Sequence, residues 1–301
     1  MPKSKWNLNT IYISERLQES LRPISRCAMT TVVAPMGYGK TTAVEWYLAE
    51  RAGAEAPYIV RISVYSSNLA IFWKSVQDAF ARAGFAFLRE YDCPTDGASG
   101  GLLIDDLCHA LTGEKSCYIF IDDFHLLTDK RAPGFLCALA GRLPPNVHLI
   151  LASRDLFLPA AELVRLGGKV YQIGTAQLRL NHTELAVYTK RCGTALSDEQ
   201  IDTLLYYSEG WFSAVYLNLR MFSEHGVLPD PNSDISSIFT AAMIDPLPEK
   251  QREFLAVMGL ADEFTVEMAQ FVMADAHAED LLAALTGQNA FVKRLPDGAT
   301  Y

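Results

Sequence analysis

At 301 residues, half of them hydrophobic and a fifth charged, the chain can form two or three domains with their own cores and has the balance of a soluble globular protein. A formal net charge of −9 excludes a general binder of the nucleic-acid backbone, and no run nears the roughly 18 apolar residues of a membrane helix. The opening MPKSKWNLNT lacks a signal-peptide core. The cysteines at 27, 93, 108, 117, 137 and 192 are scattered with no C-x-x-C pair, which argues against a zinc site or disulfide framework and for reduced thiols in the cytoplasm.

In chain order, AMTTVVA (28–34) has the length and β-branched content of a buried strand and is followed by APMGYGKTT (34–42). Ala34, PMGY, Gly39, Lys40 and Thr41 fit the phosphate-loop pattern [AG]-x-x-x-x-G-K-[ST]. Small residues there let backbone N–H groups curl around a β-phosphate and open a helix at its positive end. Gly37, Tyr38, Gly39, Lys40, Thr41 and Thr42 are therefore the candidate nucleotide-binding residues, with Lys40 reaching the β- and γ-phosphates and the Thr41 hydroxyl ligating Mg²⁺. A helix is predicted over 40–52, then a strand over 57–64, helices over 69–83 and 99–112, a strand over 116–122, a helix near 131–142, and strands over 146–153 and 169–174. Alternation of this kind predicts a parallel sheet with helices on both faces, an α/β P-loop NTPase fold.

Two of these strands end in chemistry. CYIFIDDFHLL finishes a buried apolar run on Asp122-Asp123, which a buried strand has reason to do where a cation or a reacting water lies at its edge. Asp122 is the second candidate Mg²⁺ ligand, and Asp123 the candidate to polarise an attacking water. His125 either touches phosphate or a neighbouring loop or is a plain surface histidine. LILASRD (149–155) places Arg154 at a strand end, as a γ-phosphate sensor or a surface arginine paired with Asp155.

After about residue 175 strands give way to helices. NHTE (181–184) and SDEQ (197–200) have capping-box spacing, Gly210 suits the C-cap of the second helix, and a third helix runs from WFSAVYL to Gly226. A Pro/Asp/Ser-rich linker covers 227–237. Helices are predicted near 248–259, 265–274 and 277–287, followed by a hairpin turn at Asp297-Gly298, a winged-helix pattern that stops where its second strand should begin. The expected division is a nucleotide-binding domain over 1–175, a helical domain with linker over 176–235, and a truncated winged helix over 236–301.

With APMGYGKTT, IFIDDFHLL, LASR, SEGWFSAVYL and LPEKQREFLAVMGLADEFTVEMAQFVM in this order, the chain resembles the MalT-like branch of STAND-class ATPases, the signalling regulators of the LuxR-type family, along nearly its whole length. The resemblance implies a slowly hydrolysing switch that binds ATP or ADP with Mg²⁺. In such a switch the ADP form is closed, the ATP form self-associates, and DNA is contacted through a C-terminal domain outside this chain. It also implies that Lys40, Thr41, Asp122, Asp123 and Arg154 occupy the phosphate, magnesium, catalytic-acid and sensor positions. Arg16-Leu17 match the end of a V-P-R-x-R-L run that borders the base, with Ile13-Ser14 in place of the earlier Pro-Arg, which makes Arg16 a candidate cofactor-binding residue. Gly210-Trp211 stand where many relatives carry Gly-x-Pro near adenine, and Trp211 is otherwise a core aromatic of the helical bundle. The competing readings are a conventional P-loop enzyme, such as a small-molecule kinase, and an interaction scaffold with a vestigial site.

Overall fold

The computed structural model describes residues 7–8, 10–193, 195–226, 228, 240, 244–245, 247–287, 292, 294–295 and 297–301. Five parallel strands form one sheet in the order β2-β3-β4-β1-β5, with β1 Met29–Val33, β2 Tyr58–Ser63, β3 Cys117–Asp122, β4 Val147–Ser153 and β5 Val170–Ile173. All five lie where the apolar runs predict them. The alternation of β3 explains its length: Cys117, Ile119 and Ile121 enter the core on one face, and Tyr118 and Phe120 enter the core on the other. A strand buried on both faces has no polar register, so its sequence is a continuous apolar run.

On the first face lie α3 (Leu69–Arg82), α4 (Gly97–Leu111) and α5 (Arg131–Arg142), supplying Val76, Phe80, Leu103, Ile104, Leu107, Leu136 and Leu139 to the core. The other face is covered by α1 (Glu15–Leu21) and α2 (Lys40–Glu55), through Leu17, Leu21, Val44 and Leu48. Asn68 caps α3 by accepting from the Ala70 and Ile71 N–H groups, and Asp96 and Ser99 form a capping box on α4. Helix α4 therefore starts at Gly97, two residues before its predicted start. Neither α1 nor α6 (Ala160–Leu166) stood out in the sequence; each has 7 residues, too short for a clear period.

Beyond β5 come α7 (Thr175–Leu178), α8 (His182–Arg191), α9 (Asp198–Ser208) and α10 (Phe212–His225). Both expected capping boxes are formed, Asn181 with Glu184 and Ser197 with Gln200. The C-cap of α9 differs from expectation. Glu209 takes the left-handed cap at φ 49°, and Gly210 follows it at φ 73°, so the chain turns over two successive positive-φ residues. Gly210 is needed for a second reason: its N–H donates to Ser208 Oγ at 3.2 Å, and its carbonyl accepts from the Leu180 N–H at 2.9 Å. A Cβ at 210 would stand 2.1 Å from the Leu180 carbonyl oxygen.

The chain divides into two compact units, Met1–Val215 and Tyr216–Tyr301, the division falling inside α10. Apart from Leu228, the linker expected at 227–237 lies outside the described residues. In the second unit, helices Glu249–Met258, Val266–Met273 and Ala278–Gly287 pack around Phe254, Met258, Phe264, Ala269, Leu282 and Leu285. The turn at Asp297-Gly298 is present. Gly298 has φ 72°, the Leu295 N–H donates to the Thr300 carbonyl at 2.8 Å, and Tyr301 exchanges backbone hydrogen bonds with Phe264 at 3.0 and 2.8 Å. Among the described residues no helix is long and apolar enough to cross a membrane.

Replacing Gly210 by Ala should lower stability by about 3 kcal/mol, because positive φ and a backbone collision are imposed together. Urea unfolding followed by far-UV circular dichroism measures this, and an unchanged midpoint would contradict the Leu180 contact.

Candidate nucleotide site

Lys40 opens α2 directly after Gly39, whose φ of 76° turns the loop into the helix without any side-chain N-cap. The first N–H groups of α2 are thus presented at a helix N-terminus with its partial positive charge, in the arrangement that accommodates an anion. The Lys40 side chain is buried and its Nζ donates to the loop's own carbonyls, Ala34 at 2.7 Å and Pro35 at 3.0 Å. Burial lowers the Lys40 pKa, Asp123 opposes that, Arg154 adds to it and Asp122 opposes it. Two carboxylates and a second cation therefore act on the same ammonium.

Thr41 Oγ1 donates to Asp122 Oδ2 at 2.8 Å, which brings a hydroxyl from the loop after β1 onto the carboxylate at the end of β3. Asp122 is 6% exposed, and its Oδ1 accepts from the Asp123 N–H at 2.9 Å. A hydroxyl and a carboxylate oxygen at this separation suit a divalent ion that keeps several waters. Asp123 itself sits in the left-handed region at φ 54°, an uncommon conformation that aspartate tolerates better than most residues.

Strand β4 lies between β1 and β3, so the residue after its last, Arg154, emerges between the loop and the two acids. Arg154 is exposed and makes no hydrogen bond or ion pair among the described residues, the Asp155 pairing included. His125 is not a plain surface histidine. Both ring nitrogens are buried without a hydrogen-bond partner. Its pKa is lowered by burial first, then by Arg154, with Asp123 opposing and Lys40 adding to the drop. A neutral imidazole therefore faces the same cluster of charges.

Two further residues reach the loop from the start of α10. Trp211 Nε1 donates to the Met36 carbonyl at 2.9 Å, and the Ser213 N–H and Oγ both donate to the Gly37 carbonyl, at 3.1 and 3.2 Å. The Trp211 ring stacks on Tyr38 with centroids 6.3 Å apart. A side chain at Gly37, itself at φ 79°, would strike Ser213 and Trp211. Trp211 is thus half-buried on the loop, away from the interior of the helical bundle, and Ser213 had no sequence signal, because its partner is 176 residues away.

Arg16 makes four hydrogen bonds: Nε and Nη2 to the two Glu184 carboxylate oxygens, each at 2.9 Å, and the fork to the carbonyls of Ala176 (3.1 Å) and Arg179 (2.6 Å). Glu184 also caps the Asn181 N–H at 2.9 Å, so one carboxylate closes the capping box of α8 and anchors α1. Burial alone would raise its pKa, but hydrogen bonds from Arg16, Ser14 and Asn181 outweigh that and hold it below the ordinary glutamate value. Thr42 is exposed on the first turn of α2 beside Thr41. Loop, acids and Arg154 therefore converge, whereas Arg16 engages the segment between β5 and α8.

Residues 240–301 match the MalT winged helix domain. Over 97% of its length the chain is similar, at 22% identity, to the HTH-type transcriptional regulator MalT of Yersinia pestis (strain Pestoides F), of which it covers 34%. At 21% identity and 94% coverage it is similar to MalT of Vibrio campbellii, of which it covers 32%. The chain thus spans about a third of the length of the curated relatives it matches. A Walker-type ATPase of Pyrococcus abyssi aligns over all of this chain and 96% of its own, with a TM-score of 0.50 and 12% identity, a likeness of fold. The resemblance to the MalT-like branch drawn from the sequence is borne out, as is a P-loop fold followed by a winged-helix segment.

A glutamate whose folded pKa is depressed contributes stability that is complete above its unfolded pKa of about 4.3 and is lost as pH falls through the folded value. Glu184→Gln should therefore cost about 2 kcal/mol at pH 7, and its difference from wild type should shrink as pH drops below 4. Urea midpoints at pH 7, 5, 4 and 3 give the comparison. A difference independent of pH would remove the charge from the account.

Proposed function

We propose that the chain is the nucleotide-binding portion of a MalT-like transcriptional regulator, a switch in which bound ATP or ADP with Mg²⁺ determines self-association and slow hydrolysis restores the ADP form. The observation that carries the reading is the Thr41–Asp122 hydrogen bond within reach of Lys40, Asp123 and Arg154. Its matching domains are the nucleotide-binding domain over 1–175, the helical domain and linker over 176–235, and the winged helix over 236–301. Contact with DNA and the inducer belong to parts of the regulator outside this chain.

In this reading the N–H groups from Gly37 to Thr42 cradle the β-phosphate at the start of α2, and Lys40 exchanges its bonds to Ala34 and Pro35 for phosphate oxygens. Thr41 and Asp122 would hold Mg²⁺, which would supply charge compensation to the phosphates. Asp123 orients and polarises a water, and Arg154, with no competing partner among the described residues, answers to the γ-phosphate. Arg16 positions the segment that borders the base, by fixing Glu184 and the Ala176 and Arg179 carbonyls. Trp211 and Ser213 join loop to helix, so that occupancy of the loop bears on α10. Switching requires the two nucleotides to bind the two forms with different affinity, since equal affinity shifts nothing.

The purified chain should release about one adenine nucleotide on denaturation or bind one by titration calorimetry. Lys40→Ala should weaken binding at least about 100-fold, equivalent to about 2.7 kcal/mol, and Arg154→Ala should weaken ATP more than ADP. No adenine nucleotide bound at millimolar concentration would overturn the reading. Sustained turnover at about 1 s⁻¹ or faster would place the chain with conventional ATPases.

A further inference from the structure

Behind the sheet face opposite α2 lies a cavity of about 400 Å³ with no part in the nucleotide site. Its floor is sheet: Ile62 of β2 is paired in register with Ile121 of β3, and Ile119 and Leu149 extend it. Its walls are α3, α4 and α5, and its aromatic lining includes Phe72, Trp73, Phe80 and Phe135. The charged side chains that line it already have partners: Arg131 is paired with Asp129, and Arg142 with Asp105. Asp96 is engaged in the α4 capping box.

The walls are thin where a helix has least reason to make them so. Glycine is the weakest helix former after proline, yet α4 begins GASGG and α5 carries Gly134. A Cβ added at Gly97, Gly101 or Gly134 would meet nothing within 4 Å, so crowding does not demand glycine at these positions. All three line the cavity. Of the three, Gly101 is the half-buried one, so it is the position at which a larger side chain is tried against the space.

We propose that this cavity binds a small uncharged apolar molecule, flat or elongated, as a second ligand site of the nucleotide-binding domain. The volume lies in the range of small-molecule sites, and the apolar floor and aromatic lining suit that class. A protein segment suits the space less well. The innermost residues, among them Ile119, Ile121, Leu103 and Leu149, are each under 4% exposed, so a long insertion down to the sheet has no open surface to meet. Phe124, which directly follows Asp122-Asp123, is among the residues around the same cavity and is itself buried.

The test uses N-phenyl-1-naphthylamine, a neutral apolar fluorophore, with the full chain. Saturable enhancement at one probe per chain is expected, with displacement by decanol. Gly101→Leu, which fills the space and improves the helix, should weaken the probe at least tenfold while leaving thermal stability and near-UV circular dichroism intact. Ala132→Phe, from the opposite wall, should do the same. If Gly101→Leu proves unfolded, Gly101→Ala with a partial loss carries the same reading. Equal probe binding by wild type and both filled variants, or no saturable binding, would overturn the proposal. A probe signal that falls with protein concentration as the mass in light scattering doubles would assign the face to a second copy and overturn it equally.

Discussion

The hydrogen bond from Thr41 to Asp122 joins the ends of two strands that are not neighbours. With β4 between β1 and β3, the phosphate loop and the carboxylates bracket the end of a third strand. The sheet order alone delivers the loop, Arg154 and the acids side by side. Every other element serves that row. Continuous apolar strands fix the height at which the three ends stop, and the cores on both faces fix their spacing. Because the bond runs from a helix start to a strand end, α2 cannot slide along the sheet without breaking it.

A second constraint comes from outside the sheet. The loop's carbonyls at Met36 and Gly37 are taken by Trp211 and Ser213, and α1 is tied by Arg16 to the start of α8. The loop therefore has two sides: its N–H groups lie at the start of α2, where a helix terminus favours an anion, and its carbonyls are held by Trp211 and the first turn of α10. Satisfying opposite sides of one peptide segment in this way lets a change at one side be felt at the other. Around Lys40 the two acids counter only part of the burial and of Arg154's charge, so its pKa stays below that of a free lysine.

Much of this was legible in the residues. Strands buried on both faces announce themselves as short apolar runs, and caps announce helices, which is why all five strands and the boxes at Asn181 and Ser197 were read correctly. The Gly-Lys-Thr loop and the paired acids, joined in the fold by the Thr41–Asp122 hydrogen bond, were visible because their spacing is local. The remainder depends on distant partners. For Trp211 the sequence left a position near the base and a place in the helical bundle open, and only the fold lays it against Met36; Ser213 carried no signal at all. Helix α1 exists because Leu17 and Leu21 are buried against α2, which no seven-residue pattern discloses. Glu209 takes the cap expected of Gly210, and a Cβ at the glycine one residue later would strike the Leu180 carbonyl.

The left-handed backbone at Asp123 has a consequence for how its carboxylate can be studied. At φ 54° a replacement alters two things at once, the acid and the ease of holding the turn after β3. Asparagine keeps the shape and shares the tolerance for that region, whereas alanine or a β-branched residue loads the turn with strain. A defect in the alanine form would therefore mix lost chemistry with a displaced Phe124 and a shifted Asp122. Only the amide isostere separates the carboxylate's charge from the bend that presents it.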